Sequence, residues 1–266
     1  MLLTSSPVLG GALGYQRDAH IQTQLLKAKD LGIRTLTKTL AFGLYDHNLA
    51  CARQLLHDES AVAEARVGVL RERLWKIRAR SIISAAGAFE RPMVFPDNDR
   101  PGIMLAGAAE KYALAYGVAC GHRVVIAANS DRAYAVATAL RRCEMEVTAI
   151  VDRRAEAQVT ADRSALSGVK ILYESTIESV TGGRRIRGCS AAPINGRSGS
   201  ESFDCDLILS AGGARARRPF AFSGGREITL VGQGGDVCSG WPCAGRGERR
   251  RMRRGIRERN RRQSCR

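Results

Sequence analysis

The stretch Arg123–Asp152 reads RVVIAANSDRAYAVATALRRCEMEVTAIVD. Its first apolar run, Val124-Val125-Ile126-Ala127, has no polar alternation, as expected of a strand buried on both faces. Ala128-Asn129-Ser130-Asp131 has turn chemistry, and Arg132–Arg142 has helical composition. Val147–Val151 is a second apolar run that ends on Asp152. Strand, turn, helix and strand in this order make a β-α-β unit, so the chain is α/β with a parallel sheet.

Such a unit is one half of a mononucleotide-binding fold. An acidic residue at the end of its second strand, about twenty residues past the turn, is where a ribose is held through its hydroxyls. Asp152 has that position. Asn129 and Ser130 can offer donors to a phosphate at the helix N-terminus, whereas Asp131 repels one unless it points away or caps the helix. The turn lacks the three glycines of the dinucleotide fingerprint. The residues alone therefore leave two readings open, a nucleotide site and a β-α-β unit that packs and binds nothing. Arg153 and Arg154 would suit a 2′-phosphate, but the Asp152 carboxylate favours NAD over NADP.

Upstream, Ala79–Leu105 contains the short apolar run Ser81–Ser84, expected to be a buried strand, followed by Ala85-Ala86-Gly87-Ala88. Side chains this small let a cofactor or another backbone approach closely. Leu74–Ala79 alternates apolar and basic residues, as a half-exposed strand does. Leu105–Tyr116 reads as an alanine-rich helix stopped by Gly117. Earlier still, Tyr15–Asp30 has helical spacing with Gly32 as its stop, and Ile33–Leu40 alternates like a strand. Ala41-Phe42-Gly43 is expected to turn the chain before a strand beginning at Leu44, and residues 50–72 look helical. Downstream, strands are expected between Gly168 and Val180, a hairpin turn at Gly182-Gly183, a returning strand over Arg184–Ala192 and a loop over residues 193–201. One apolar strand over Phe203–Ser210 then closes on Ala211-Gly212-Gly213.

Several of these pieces carry a resemblance. They are Ala41-Phe42-Gly43-Leu44-Tyr45-Asp46-His47-Asn48, Leu74–Ala79, Glu90-Arg91-Pro92, Phe95–Gly102 and Val151-Asp152. In that order they resemble two-dinucleotide-binding flavoprotein oxidoreductases, and most closely the α-subunit family of heterotetrameric sarcosine oxidase, over residues 16–213. The resemblance implies an FAD/NAD(P)-binding Rossmann-like fold, a partial flavin domain with an inserted nucleotide-binding β-α-β domain. It also implies an Asn/Asp-containing turn that still holds NAD, and glycines at 212 and 213 lying against the dinucleotide. In the family the complete complex oxidatively demethylates sarcosine to glycine. Because that chemistry occurs at a flavin in another subunit, no catalytic residue is expected here and other subunits are the expected partners. The site residues expected to meet a cofactor are Ala85, Ala86, Gly87, Ala88, Asn129, Ser130, Asp152, Gly212 and Gly213. Residues 1–15 are expected to be irregular, and Gly10-Gly11-Ala12-Leu13-Gly14 follows no expected strand. No pyrophosphate loop for FAD is read here, so NAD is the expected cofactor and FAD is left open as a second.

Charge and cysteines narrow the remaining classes. Of the net charge of +16, Ala214–Arg266 carries +11 through fifteen arginines and four acidic residues. Residues 1–213 are left with an unremarkable +5. The basic end is expected to stay solvated. It has the composition of an out-of-frame translation of GC-rich DNA, which the other frames of the coding DNA would test. A nucleic-acid-binding tail is the third reading, disfavoured because no aromatics interleave the arginines. A non-catalytic dinucleotide-binding or interaction subunit is the second. The eight cysteines form no C-x-x-C pair and no histidine set completes a zinc site. Scattered thiols without a basic leader point to the reducing cytoplasm. No apolar run is long enough for a membrane span. His47, next to Asp46, is the histidine to weigh as a general base, and a histidine bonded within a strand turn is the plainer reading.

Overall fold

A strand with both faces apolar needs a layer on each side and strands on both edges. The run Val124–Ala128 finds all of these. The computed structural model describes residues 1–15, 19–57, 70–196, 199–216, 229–231 and 237–239. In chain order the strands are β1 (Leu2–Leu3), β2 (Thr35–Leu36), β3 (Thr39–Tyr45), β4 (Leu49–Leu55), β5 (Glu72–Arg78), β6 (Ala88–Glu90), β7 (Ile103–Leu105), β8 (Arg123–Ala128) and β9 (Glu146–Asp152). They continue with β10 (Lys170–Leu172), β11 (Ser175–Gly182), β12 (Ile186–Pro193), β13 (Glu201–Asp204), β14 (Leu207–Ala211), β15 (Ala214–Ala216), β16 (Thr229–Val231) and β17 (Val237–Ser239). The helices are α1 (Gly11–Tyr15), α2 (Ala19–Asp30), α3 (Ala106–Tyr116) and α4 (Arg132–Arg142). Contacts divide the chain into one unit of Met1–Thr39 with Phe89–Arg215 and a second of Leu40–Ala88 with Ala216–Arg266.

The first unit is built on a five-stranded sheet in the order β10-β9-β8-β14-β7. Its four strand pairings are all parallel. On one face Val124, Ile126 and Ala128 pack with Ala133, Tyr134, Val136, Ala137 and Leu140 of α4 and Ala106, Ala109 and Ala113 of α3. The α4 residues recur at helical spacing, which puts them on one stripe. On the other face Val125, Ala127 and Val151 pack with Ile177, Val180, Ile186 and Cys189. Those residues come from the antiparallel β11-β12-β13 meander. Helices, parallel sheet and meander therefore form three layers, the α/β architecture expected from the sequence. α3 stops where expected: Gly117 takes φ 65°, and its N–H bonds back to the last turn.

The single strand expected over Phe203–Ser210 is two strands. Cys205-Asp206 breaks it, leaving β13 in the meander and β14 in the parallel sheet. The Asp206 carboxylate accepts from the N–H groups of His122 and Arg123 at 2.8–3.1 Å, which fixes the crossing between layers. The N-terminus holds more structure than expected. β1 pairs in parallel with β2, and α1 and α2 lie between them. α2 closes at Gly32, φ 63°, with Ile33 N–H bonded to Ala28 O at 3.0 Å.

In the second unit three expectations fail. Gly43 lies inside β3 and does not turn the chain; the turn comes at Asp46–Asn48, where His47 and Asn48 take φ 61° and 54°. Two consecutive positive φ values match the twist of a tight hairpin. Residues 49–55 are the strand β4, not a helix, because pairing with β5 from Leu49↔Arg78 to Leu55↔Glu72 outweighs the helix propensity of Ala, Arg and Gln. Residues 58–69 of the expected helix lie outside the described residues. Ser81–Ser84 is not a buried strand: it has only a single bridge at Ser84, and Ile83 is 71% exposed. A short apolar run becomes a buried strand only where neighbouring strands and a covering layer receive it, and here neither does among the described residues. Within the basic end, residues 214–216 form β15, and β16 and β17 pair antiparallel; its other residues lie outside the described ones.

Candidate functional site

In the parallel sheet, β8, β9 and β10 follow one another outward in one direction, while β14 and β7 lie on the other side of β8. The order therefore reverses between β8 and β14. Ligands of open α/β sheets sit at such a reversal, outside the carboxyl ends of the strands. The three strand ends are level there, with Ala211 opposite Ala128 and Ala128 opposite Asp152. Leaving β8, Asn129 is exposed and its N–H donates to Ala211 O at 3.0 Å. The Ser130 hydroxyl donates to the same carbonyl at 3.3 Å. Leaving β14, Gly212 lies so close to Arg91 that a Cβ would meet its carbonyl oxygen at 2.5 Å. Gly213 has φ 95° and open space around it.

Asn129, Ser130, Asp152, Gly212 and Gly213 are thus gathered along one sheet edge. Ala85–Ala88 are not; they belong to the second unit. Ala85, Ala86 and Gly87 are exposed, and Gly87 takes φ 74° with nothing near its absent Cβ. Conformation explains that glycine without close approach.

Asp152 is fully buried. Oδ2 accepts from Tyr134 Oη at 3.0 Å and Arg154 Nη2 at 2.8 Å. Oδ1 accepts from the Arg154 N–H at 2.9 Å and Nε at 3.1 Å. Four donors occupy the roughly four acceptor sites of a carboxylate. Arg154 also reaches Asp131 Oδ1 at 2.7 Å, and Thr160 donates to Asp131 Oδ2 through both its N–H and its hydroxyl. Asp131 therefore makes no cap to α4; it is turned toward Thr160 and Arg154, and bonds from both hold its carboxyl below the ordinary range. Burial and the Asp152 carboxylate push the Tyr134 hydroxyl far up, so it stays a donor. Arg154 is pushed up chiefly by its hydrogen bond to Asp152.

On the other side of the reversal lies a group the sequence did not single out. Glu90 Oε2 accepts from Gly107 N–H, in the first turn of α3, at 2.7 Å. Its Oε1 is buried and has no partner. Burial raises the Glu90 pKa, opposed by the Gly107 bond and by Arg132, and Glu110 adds to the rise. Arg132 opens α4 and pairs with Glu110 of α3, which is buried. Glu90 was legible only as part of a motif, since a carboxylate next to Arg-Pro reads as surface until the fold encloses it. Among the described residues no group of three or more His, Cys, Asp or Glu could hold a metal ion. No helix among them is long and apolar enough to cross a membrane.

No protein-family model matches the chain. It is 35% identical over 189 residues to the sarcosine oxidase subunit alpha of Corynebacterium sp. (strain U-96), covering 66% of this chain and 19% of that subunit. To the same subunit of Corynebacterium sp. (strain P-1) it is 39% identical over 144 residues, 53% of this chain and 14% of the relative. To that of Rhizobium meliloti (strain 1021) it is 36% identical over 214 residues, 80% and 20% respectively. The chain thus spans about a fifth or less of the length of these relatives. Among solved structures, a NAD-dependent persulfide reductase from A. fulgidus aligns with a TM-score of 0.50 at 16% identity, over 80% of this chain and 40% of that one. The chain is accordingly similar in sequence to the sarcosine oxidase α subunit and has the FAD/NAD(P)-binding, Rossmann-like α/β fold.

Proposed function

We propose that the first unit binds NAD along the carboxyl edge of β9, β8 and β14, as the nicotinamide-nucleotide part of an FAD/NAD-dependent oxidoreductase resembling the sarcosine oxidase α subunit. The observation that carries the reading is the reversal of strand order between β8 and β14. The residues there suit a dinucleotide. An acceptor buried without a partner, Glu90 Oε1, awaits a donor, Gly213 leaves open space, and α4 has no side-chain cap competing at its N-terminus. Asn129 and Ser130 would meet the pyrophosphate. Asp152 serves the ribose end by holding Arg154 and Tyr134, because its own acceptor sites are taken. Arg154 is shared between two carboxylates, which leaves little positive charge for a 2′-phosphate and favours NAD over NADP.

When bound, the nicotinamide supplies hydride chemistry, and this chain positions it. Ala85, Ala86, Gly87 and Ala88 belong to the flavin side in the same reading, as side chains too small to block a ligand. Oxidation of sarcosine, and partner subunits to carry it out in the cytoplasm, belong to the complete assembly in this proposal. Calorimetric titration of the purified chain with NAD, NADP and FAD tests it. Saturable NAD binding, tighter than NADP, is expected; a folded chain that gives no saturable heat with NAD would sink the reading.

A further inference from the structure

Glu90 Oε1 stands out among the described residues as a buried side-chain oxygen with no hydrogen-bond partner. An unpaired buried acceptor is costly. Its orientation is nevertheless set, because Oε2 is tied to Gly107 N–H at 2.7 Å. Gly107 permits that approach, since a Cβ there would lie 2.9 Å from Oε2. The chain beside Glu90 is also held in place: Arg91 N–H donates to Gly213 O at 2.8 Å, and Gly212 N–H donates to Arg91 O at 3.1 Å. Glu90 is therefore anchored on the β14–β7 side of the reversal, whereas Asp152 closes β9 on the other side.

A dinucleotide laid across this edge with its adenosine at β9 and its pyrophosphate at β8 carries its second ring to the β14–β7 side. We propose that Glu90 recognises that ring, with Oε1 accepting a hydrogen bond from the N–H of a nicotinamide carboxamide. This rests on the nucleotide-binding reading above. Arg132 does not compete for the role, because its guanidinium is engaged by Glu110. Glu90 acts here in binding and orientation; it transfers no proton and forms no bond.

The test uses the full chain and three ligands: NAD, its 3-acetylpyridine analogue, which has a methyl ketone and no N–H at that position, and ADP-ribose, which lacks the ring. Affinities are measured by calorimetry for the wild type and Glu90→Gln. In the variant the amide oxygen can keep the Gly107 bond while the NH₂ replaces the acceptor. The wild type should bind NAD about tenfold tighter than the analogue, the worth of one hydrogen bond to a charged group. Glu90→Gln should bring that ratio to one or below and leave ADP-ribose affinity unchanged. ADP-ribose binding together with equal affinities for NAD and the analogue in the wild type would overturn the Glu90 assignment alone. No binding of NAD or ADP-ribose by folded protein would overturn the nucleotide reading, and the assignment with it.

Discussion

At the end of β9 the Asp152 carboxylate accepts from Tyr134 and three Arg154 groups while fully buried. Removing one partner of a buried ion pair leaves the other charge uncompensated. Asp152→Ala should cost about 3–5 kcal/mol in urea unfolding, and Tyr134→Phe about 2 kcal/mol, the scale of one hydrogen bond to a charged group. An equal, small loss for both would show that the network is slack. Gly212→Ala should cost about 1–3 kcal/mol, since its Cβ would sit 2.5 Å from the Arg91 carbonyl and the backbone must yield. Asp152 could be placed from spacing in the sequence. Its saturation could not, because the Tyr134 hydroxyl becomes its donor only when α4 packs on the sheet.

Hairpin and helix ends lend themselves to the same treatment. The β3–β4 turn forces His47 and Asn48 to positive φ, where Asn-Gly is preferred. Changing His47-Asn48 to Asn-Gly should stabilise the hairpin by about 1 kcal/mol in thermal unfolding, as left-handed strain at His47 is relieved. At the start of α3, Glu90 is faced by Gly107 N–H, Arg132, Glu110 and Tyr15. Burial raises its pKa above the ordinary 4.5, so the folded state holds the proton more tightly. The stability it contributes is full below the ordinary value and is lost as pH rises through the folded one. Asp131 has the opposite sign: its carboxyl is lowered, and its contribution is lost as pH falls. Stability measured against pH should therefore lose its upper decline in Glu90→Gln and its acid decline in Asp131→Asn. Unchanged profiles would mean that neither group titrates in the folded state as described. Of these elements, α3 and α4 were legible because their helix-favouring composition and the Gly117 stop are local signals. β4 was not, because its alanines and glutamine favour a helix until β5 pairs with them.

Across the whole molecule, the five-stranded sheet unit carries the candidate site, and the second unit is built on the β3-β4-β5 sheet. If the first unit is a working nucleotide domain, saturating NAD should raise its thermal midpoint, because a ligand bound only by the folded state stabilises it by mass action. No shift at saturating NAD would count against the site. The order of apolar runs, turns and helical segments from Arg123 to Gly213 was enough to establish an α/β fold, the β-α-β unit and the places of Asn129, Asp152, Gly212 and Gly213. Each of those rests on periodicity, or on a residue type whose demands act within a few positions along the chain. Other features depended on contacts between distant segments: the break at Cys205-Asp206 that sends β14 into the parallel sheet, the exposure of Ser81–Ser84, the bond from Tyr134 to Asp152, and the burial of Glu90 Oε1 beside α3. Burial and hydrogen-bond saturation are properties of the surroundings, and those surroundings exist only once separate parts of the chain have packed together.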